Sequence, residues 1–126
     1  MGITNTGMAQ TAKLLGTDVT DSVPFNYVAI GSSSTAFDAI QTALVAELQR
    51  ADAVGTLTTT AVTNDTLTLT KDSFSFGGSY SINEVGAFQL SSGSVMLCRT
   101  VLGSTISVTA TDTLKVVINV QVKQGS

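Results

Sequence analysis

The sequence predicts a mainly β protein: an antiparallel two-sheet β-sandwich, jelly-roll-like, with one short helix and an N-terminal arm. Three observations carry that prediction. In the last stretch Leu114, Val116, Ile118, Val120 and Val122 face one way, while Lys115, Asn119, Gln121 and Lys123 face the other. Five inward positions in a row demand a long apolar surface opposite, which the interior of a two-sheet sandwich supplies. Residues 81–102 form two apolar-rich runs of strand length joined by Ser91-Ser92-Gly93-Ser94, the pattern of a β-hairpin. The composition points the same way. The chain has 20 Thr and 14 Ser among 126 residues and only 12% charged residues, and Thr is a β-branched strand former that leaves a polar, uncharged surface.

A chain of this length is one domain that buries roughly two thirds of its unfolded surface. It divides into an arm over residues 1–24 and a single sandwich domain over residues 25–126. Within the arm, residues 8–15 have apolar side chains at near-helical spacing, enough for one or two turns ending at Gly16. So short a helix needs something to dock on. Residues 25–30 read as a strand with Phe25, Tyr27 and Ala29 on one face and Val28 and Ile30 on the other. The Gly31-Ser32-Ser33-Ser34 that follows is a surface loop, since it lacks the Gly-x-x-x-x-Gly-Lys frame of a phosphate cradle. From residue 36 to 53 the period changes. Phe37, Ile40, Ala43, Leu44 and Leu48 share a stripe, Asp38 lies in the first turn and Arg50 in the last, so an amphipathic helix is expected near residues 37–53. After Gly55 the chain reads as β-structure, with a turn at Asn64-Asp65, Leu67 and Leu69 on one face, Phe74 and Phe76 continuing the alternation, and Gly77-Gly78 leading into the hairpin. Seven or eight strands result. The expected core is Tyr27, Leu44, Leu67, Phe74, Phe88, Leu97, Leu114, Val116, Ile118 and Val120.

The informative charges are few. Glu84 and Arg99 stand alone on the two arms of the hairpin among Ile, Val, Leu and Phe, and an ionised group in such a setting must reach water or be paired. Their unequal distances from the turn mean that a pair between them requires a bulge, a partner from another strand, or a neighbouring subunit. Glu47 and Arg50, three apart, can pair across one helical turn. These four residues are the candidate structural or assembly ion pairs.

No catalytic, cofactor-binding or metal site is expected, and the protein is not expected to be an enzyme. The chain has no histidine, which removes the usual base, proton shuttle and metal ligand. Cys98 lies inside a strand with nothing to activate it and reads as a small core residue. There is no calcium-loop pattern and no Gly-x-Ser-x-Gly elbow. A Lys–Asn isopeptide bond formed with the help of Glu84 is conceivable from residue types alone and is not expected. A net charge of −3, with six basic residues scattered singly, gives no footprint for nucleic acid. No apolar run is long enough to cross a bilayer, and with no leader pattern the mature product is expected to start at or near Met1.

The succession Ile3-Thr4-Asn5-Thr6-Gly7-Met8-Ala9, Phe25-Asn26-Tyr27-Val28-Ala29-Ile30-Gly31, Leu44-x-x-Glu47-x-x-Arg50, Ile82-Asn83-Glu84-Val85-Gly86-Ala87-Phe88, Met96-Leu97-Cys98-Arg99 and Asp112-Thr113-Leu114 covers most of the chain. In that order it resembles the small virion structural proteins of tailed bacteriophages, of tail-fibre, baseplate or head-surface type. The resemblance implies a non-enzymatic β-sandwich, located in the virion, that acts by homo-oligomeric assembly with itself and with other virion proteins. Glu84 and Arg99 would then bind within or between subunits. A trimer is expected, with one or both chain ends held by neighbouring subunits. The arm is the better candidate for such an end, because its apolar stretch has little local structure to pack on. The alternative is a carbohydrate-binding or adhesin-type module, which would want exposed aromatic residues; the chain has no Trp and two Tyr.

Overall fold

The computed structural model describes residues 2–16 and 23–125. In order the elements are β1 (Gly2–Ile3), α1 (Asn5–Gly16), β2 (Tyr27–Gly31), β3 (Glu47–Asp52), β4 (Val54–Thr58), β5 (Thr66–Ser75), β6 (Tyr80–Phe88), β7 (Met96–Val108) and β8 (Thr113–Gln121). They form two antiparallel sheets, a larger one in the order β1-β7-β6-β2-β3 and a smaller one in the order β4-β5-β8. The described residues are mainly β, in two antiparallel sheets, as the patterning predicts, with one short helix in the arm.

The main core lies between the sheets. Val28, Ile30, Ile82 and Ala87 from the larger sheet meet Leu69, Phe74, Val116 and Ile118 from the smaller one. Leu67, Leu114 and Val120 pack on this cluster while staying partly exposed. Val122 lies beyond the end of β8 and is 77% exposed, so four of the five alternating positions of the last strand point inward and the fifth does not. A second, smaller cluster of Ala29, Leu44, Phe88 and Met96, with Tyr27 against it, occupies the opposite face of the larger sheet. Val28 and Ile30 thus take one face of β2 and Tyr27 and Ala29 the other, as the alternation predicts. Phe25 departs from it and joins the main core.

Bulges reconcile the alternation with burial. Leu69 and Phe74 both face inward although they are an odd number of residues apart, and the β5–β8 register shifts between Lys71 and Phe74 to allow it. A shift between Ile82 and Glu84 in the β6–β7 pairing lets Ile82 join the main core while Glu84 looks the other way. The connector of this hairpin turns through Gly93 (φ 58°) and Ser94 (φ 67°); glycine adopts this left-handed conformation without strain, and serine does so only at a cost.

Two expectations are corrected. The helix expected near residues 37–53 is absent: residues 32–46 run as an irregular loop and Glu47–Asp52 is strand β3, paired with β2 from Tyr27↔Asp52 to Gly31↔Glu47. The apolar stripe is real, and Leu44 is buried, but bonds to β2 and to the Glu84 carboxylate replace those a helix would make internally. Tertiary context overrides a helical preference of a few tenths of a kcal/mol per residue. The second correction concerns the arm, which does find packing within its own chain. β1 pairs with β7 (Gly2↔Arg99, Ile3↔Cys98), and Thr4, fully buried, caps α1 by accepting from the Gly7 amide at 2.9 Å and donating to the Met96 carbonyl. A Cβ on Gly7 would come within 2.5 Å of the Leu97 carbonyl oxygen, so only glycine lets the helix sit this close to β7. Residues 17–22 of the arm, and the two terminal residues whose anchoring was expected, lie outside the described residues.

Ile118 is 5% exposed in the middle of the main core. Truncation to Ala is expected to lower unfolding stability by about 2–5 kcal/mol, measured by denaturant titration. A loss within a few tenths would show that β8 does not face the larger sheet.

Candidate functional site

The four charged residues singled out by the sequence all form ion pairs within one chain. On the outer face of the larger sheet, Arg99 Nε donates to Glu84 Oε1 at 2.8 Å, and both side chains are fully buried. Arg99 stands opposite Gly86 and Glu84 opposite Val101, so the pair closes diagonally across β6 and β7. The Glu84 carboxylate also accepts three backbone N–H bonds, from Ser33 at 3.1 Å, Val45 at 2.9 Å and Ala46 at 2.8 Å. One carboxylate therefore fastens both ends of the loop over residues 32–46. Gly31 makes room for it: a Cβ there would lie 2.5 Å from Glu84 Oε2 and 2.6 Å from the Ala46 carbonyl oxygen. Arg99 reaches further into the loop through Nη1, which donates to Gln41 Oε1 at 3.3 Å; its Nη2 is buried without a protein partner.

The second pair works in the same way. Arg50 binds Glu47 through two bonds, Nη2 to Oε1 at 2.7 Å and Nε to Oε2 at 3.2 Å. A helical turn is not needed, because the β2–β3 register shifts between Ile30 and Gly31, opposite Gln49 and Glu47. Arg50 Nη1 donates to the carbonyls of Leu90 at 3.1 Å and Gly93 at 2.8 Å. Its guanidinium lies 3.5 Å from the centre of the Phe88 ring, a favourable cation–π position. Arg50 thereby holds the β6–β7 connector against β3.

A third polar centre has only a turn signal in the sequence. Asp65 accepts from the amides of Thr60, Ala61 and Val62 at 2.9–3.0 Å, from the Thr66 hydroxyl at 2.9 Å and from Gln121 Nε2 at 3.0 Å. Those amides hold its carboxyl well below the usual carboxylate range. Asn64 beside it takes φ 61°, in the left-handed region that Asn tolerates. Together they tie the β4–β5 connection to the last strand.

Cys98 is buried, and burial pushes its thiol up to about 11, so it carries almost no thiolate at neutral pH. Glu84 is surrounded by Arg99 and backbone amides, with no lysine bonded to it, so the arrangement an isopeptide bond needs is not assembled. Among the described residues no group of three or more Cys, Asp or Glu could hold a metal ion, and no helix is long and apolar enough to cross a membrane. The cavities include an apolar groove of about 390 Å³ between β8 and the β6–β7 hairpin and a groove of about 520 Å³ lined by Gly2, Phe37 and Arg99 among others. No protein-family model, curated protein or solved structure matches the chain.

For Glu84, burial acts to raise the carboxyl pKa, and the Arg99 bond with the three amide bonds outweighs it, leaving the group below its ordinary value. A depressed pKa means stability that is fully present above the unfolded value, about 4.3, and lost as pH falls through the folded one. Glu84→Gln is expected to cost about 3–5 kcal/mol at pH 7, because it strands a buried guanidinium. Its stability gap to the native protein should shrink as the pH drops below about 4. Denaturant titrations at pH 7 and pH 3 check this; equal gaps at both would mean that the carboxylate is not the charged partner.

Proposed function

We propose that this protein is a virion structural component of the tailed-phage type, a non-enzymatic sandwich that acts by homo-oligomeric assembly on the particle. The observation that carries the reading is the outer face of the smaller sheet. Strand pairing sets Val54, Thr70 and Val117 in one row, Thr56, Thr68 and Asn119 in the next, and Thr58, Thr66 and Gln121 in the third. None of the nine is charged. Val54 is 65% and Val117 48% exposed. Several of the hydroxyls bond one another, as Thr58 to Thr68 at 2.9 Å, or the sheet, as Thr68 to Asn119 Oδ1 at 2.8 Å, which leaves them less in need of water.

An uncharged patch of this extent, bordered at one end of the same face by the Lys115–Asp72 pair, suits contact with other protein better than free solution, where mixed charges maintain solubility. The buried ion pairs support the same reading. They close inside the chain and fix the larger sheet, its loop and its hairpin as one rigid block, as a repeated building unit requires. The sequence resemblance to tail-fibre, baseplate and head-surface proteins supplies the setting. For a carbohydrate-binding module the support is thinner: Tyr80, at 40% exposed, is the one large aromatic at the surface among the described residues, and its ring packs near Phe76 at 6.0 Å between centroids.

The purified protein is therefore expected to be a homo-oligomer, a trimer or a larger ring or lattice. Light scattering after size exclusion, with negative-stain images, checks this. A monomer at all accessible concentrations would overturn the reading, and a glycan array with specific binders would favour the adhesin alternative.

A further inference from the structure

Among the described residues the two sheets end in β1, β3, β4 and β8, and all but β4 are guarded against pairing with another chain. β1 is two residues long and covers β7 only at Arg99 and Cys98, and the uncovered remainder of β7 is broken by the bulge between Val101 and Ile106. β3 carries Glu47, Arg50 and Asp52. β8 carries Lys115, with Lys123 just beyond its end, so two β8 strands pairing about Asn119 would bring Lys115 of each against Lys123 of the other. Short length and charge are the usual protections of an open edge.

β4 has neither. Its residues Val54, Gly55, Thr56, Leu57 and Thr58 are all exposed, it pairs with β5 on one side without a register shift, and no charged residue occurs from Ala53 to Asn64. The strand is also complementary to itself. Set antiparallel to a second copy about Thr56, Val54 falls opposite Thr58, Thr56 opposite Thr56, and Leu57 opposite Gly55. Leu57 is 63% exposed. Among the described residues, Gly55 has Leu69 and Leu67 near it, at 3.5 and 3.6 Å from where a Cβ would be, and it lines an apolar groove of about 350 Å³ floored by those two leucines and bordered by Phe25. In this register each copy's Leu57 drops over the other's Gly55 into that groove, and no charge opposes another.

From this self-complementarity we infer that β4 is a homotypic docking edge, which joins two copies of this chain about a two-fold axis through Thr56 into a continuous six-stranded sheet, β8-β5-β4 against β4-β5-β8. The inference rests on the assembly reading above and names its surface. Backbone hydrogen bonds join the strands, and Leu57 in the groove fixes the register. Because a two-fold contact joins chains in pairs, the assembly contains an even number of copies. A trimeric ring that uses this edge becomes a hexamer.

The test measures the mass of the full chain by light scattering beside two variants. Leu57→Glu puts a carboxylate into the partner's apolar groove while altering a side chain the monomer already exposes. It is expected to halve the mass and to leave the melting temperature within a few degrees of the native protein's. Thr56→Cys places two thiols face to face, about 4.5–5.5 Å apart between Cβ atoms. A short bis-maleimide, which alkylates one thiol at each end, should convert it to covalent dimer, while Ser92→Cys in the hairpin connector stays monomeric on a denaturing gel. Cys98 is buried and does not compete. A native oligomer whose mass Leu57→Glu leaves unchanged, or a simple trimer, overturns the edge and leaves the assembly reading standing. A native protein that is monomeric throughout overturns both. Should Leu57→Glu fail to fold, the cross-link decides: no more dimer from Thr56→Cys than from Ser92→Cys sinks the proposal.

Discussion

A carboxylate out of reach of water lies on the outer face of the larger sheet, and much of the fold follows from how it is neutralised. Burying an ionised group alone costs several kcal/mol even after relaxation, so Glu84 demands donors. It has four: the Arg99 guanidinium and the amides of Ser33, Val45 and Ala46. Because three of them come from the two ends of one loop, satisfying the charge also sets the course of residues 32–46. That loop in turn delivers Leu44 onto Ala29, Phe88 and Met96, which turns a solvent face into a second small core. Arg99 ties in the N-terminus as well, since its own backbone is paired with Gly2.

How much of this the sequence disclosed depended on whether a feature is local. The hairpin, its turn, the inward face of β8 as far as Val120 and the isolation of Glu84 and Arg99 are written in runs of adjacent residues, and the structure bears these out. The pairing of Glu47 with Arg50 was legible from spacing although the element around it was not. Residues 37–53 have a helical stripe because Leu44 and Leu48 are apolar for separate reasons, one in the loop's small core and the other at the bulged start of β3. Nothing in the sequence says that Val45 and Ala46 give their amides to a carboxylate 38 or 39 residues away. Backbone donors carry no side-chain signature, so a site made largely of amides is silent at that level. Asp65 is the same case, visible as a turn residue and invisible as the hub of three amides.

One signal was present and unused. Leu67 and Leu69 have odd numbers, Phe74 and Phe76 even ones, and all four contribute to the core. Strict alternation cannot bury both pairs on one face, so the parity change itself marks a bulge between them, where the β5–β8 register shifts. The same reasoning applied to Ile82 and Glu84 would have assigned them to opposite faces, since an apolar residue and a lone charge two positions apart are poor neighbours on one face. A parity break inside an otherwise regular strand is thus readable evidence of a bend, available before any coordinates.

The two sheets differ in how their outer faces are treated, and the charges account for the difference. The larger sheet is covered on both sides, by the smaller sheet and by the loop that Glu84 and Arg99 hold in place. The smaller sheet has one covered face, and much of its other face is uncharged, with Lys115 and Asp72 3.9 Å apart at one end. A protein with so few ionised residues has placed four of them where they fix its own chain, Glu84 and Arg99 fully buried and Arg50 nearly so. Association through the remaining uncharged surface would depend on shape, apolar contact and strand hydrogen bonds, none of which the ionic atmosphere screens as it screens exposed charge pairs. Contacts of that kind keep their strength as salt changes, at the cost of the long-range steering that charged surfaces provide. On the proposed assembly reading, in which a unit meets its neighbours at high local concentration, steering matters least and a salt-insensitive contact matters most.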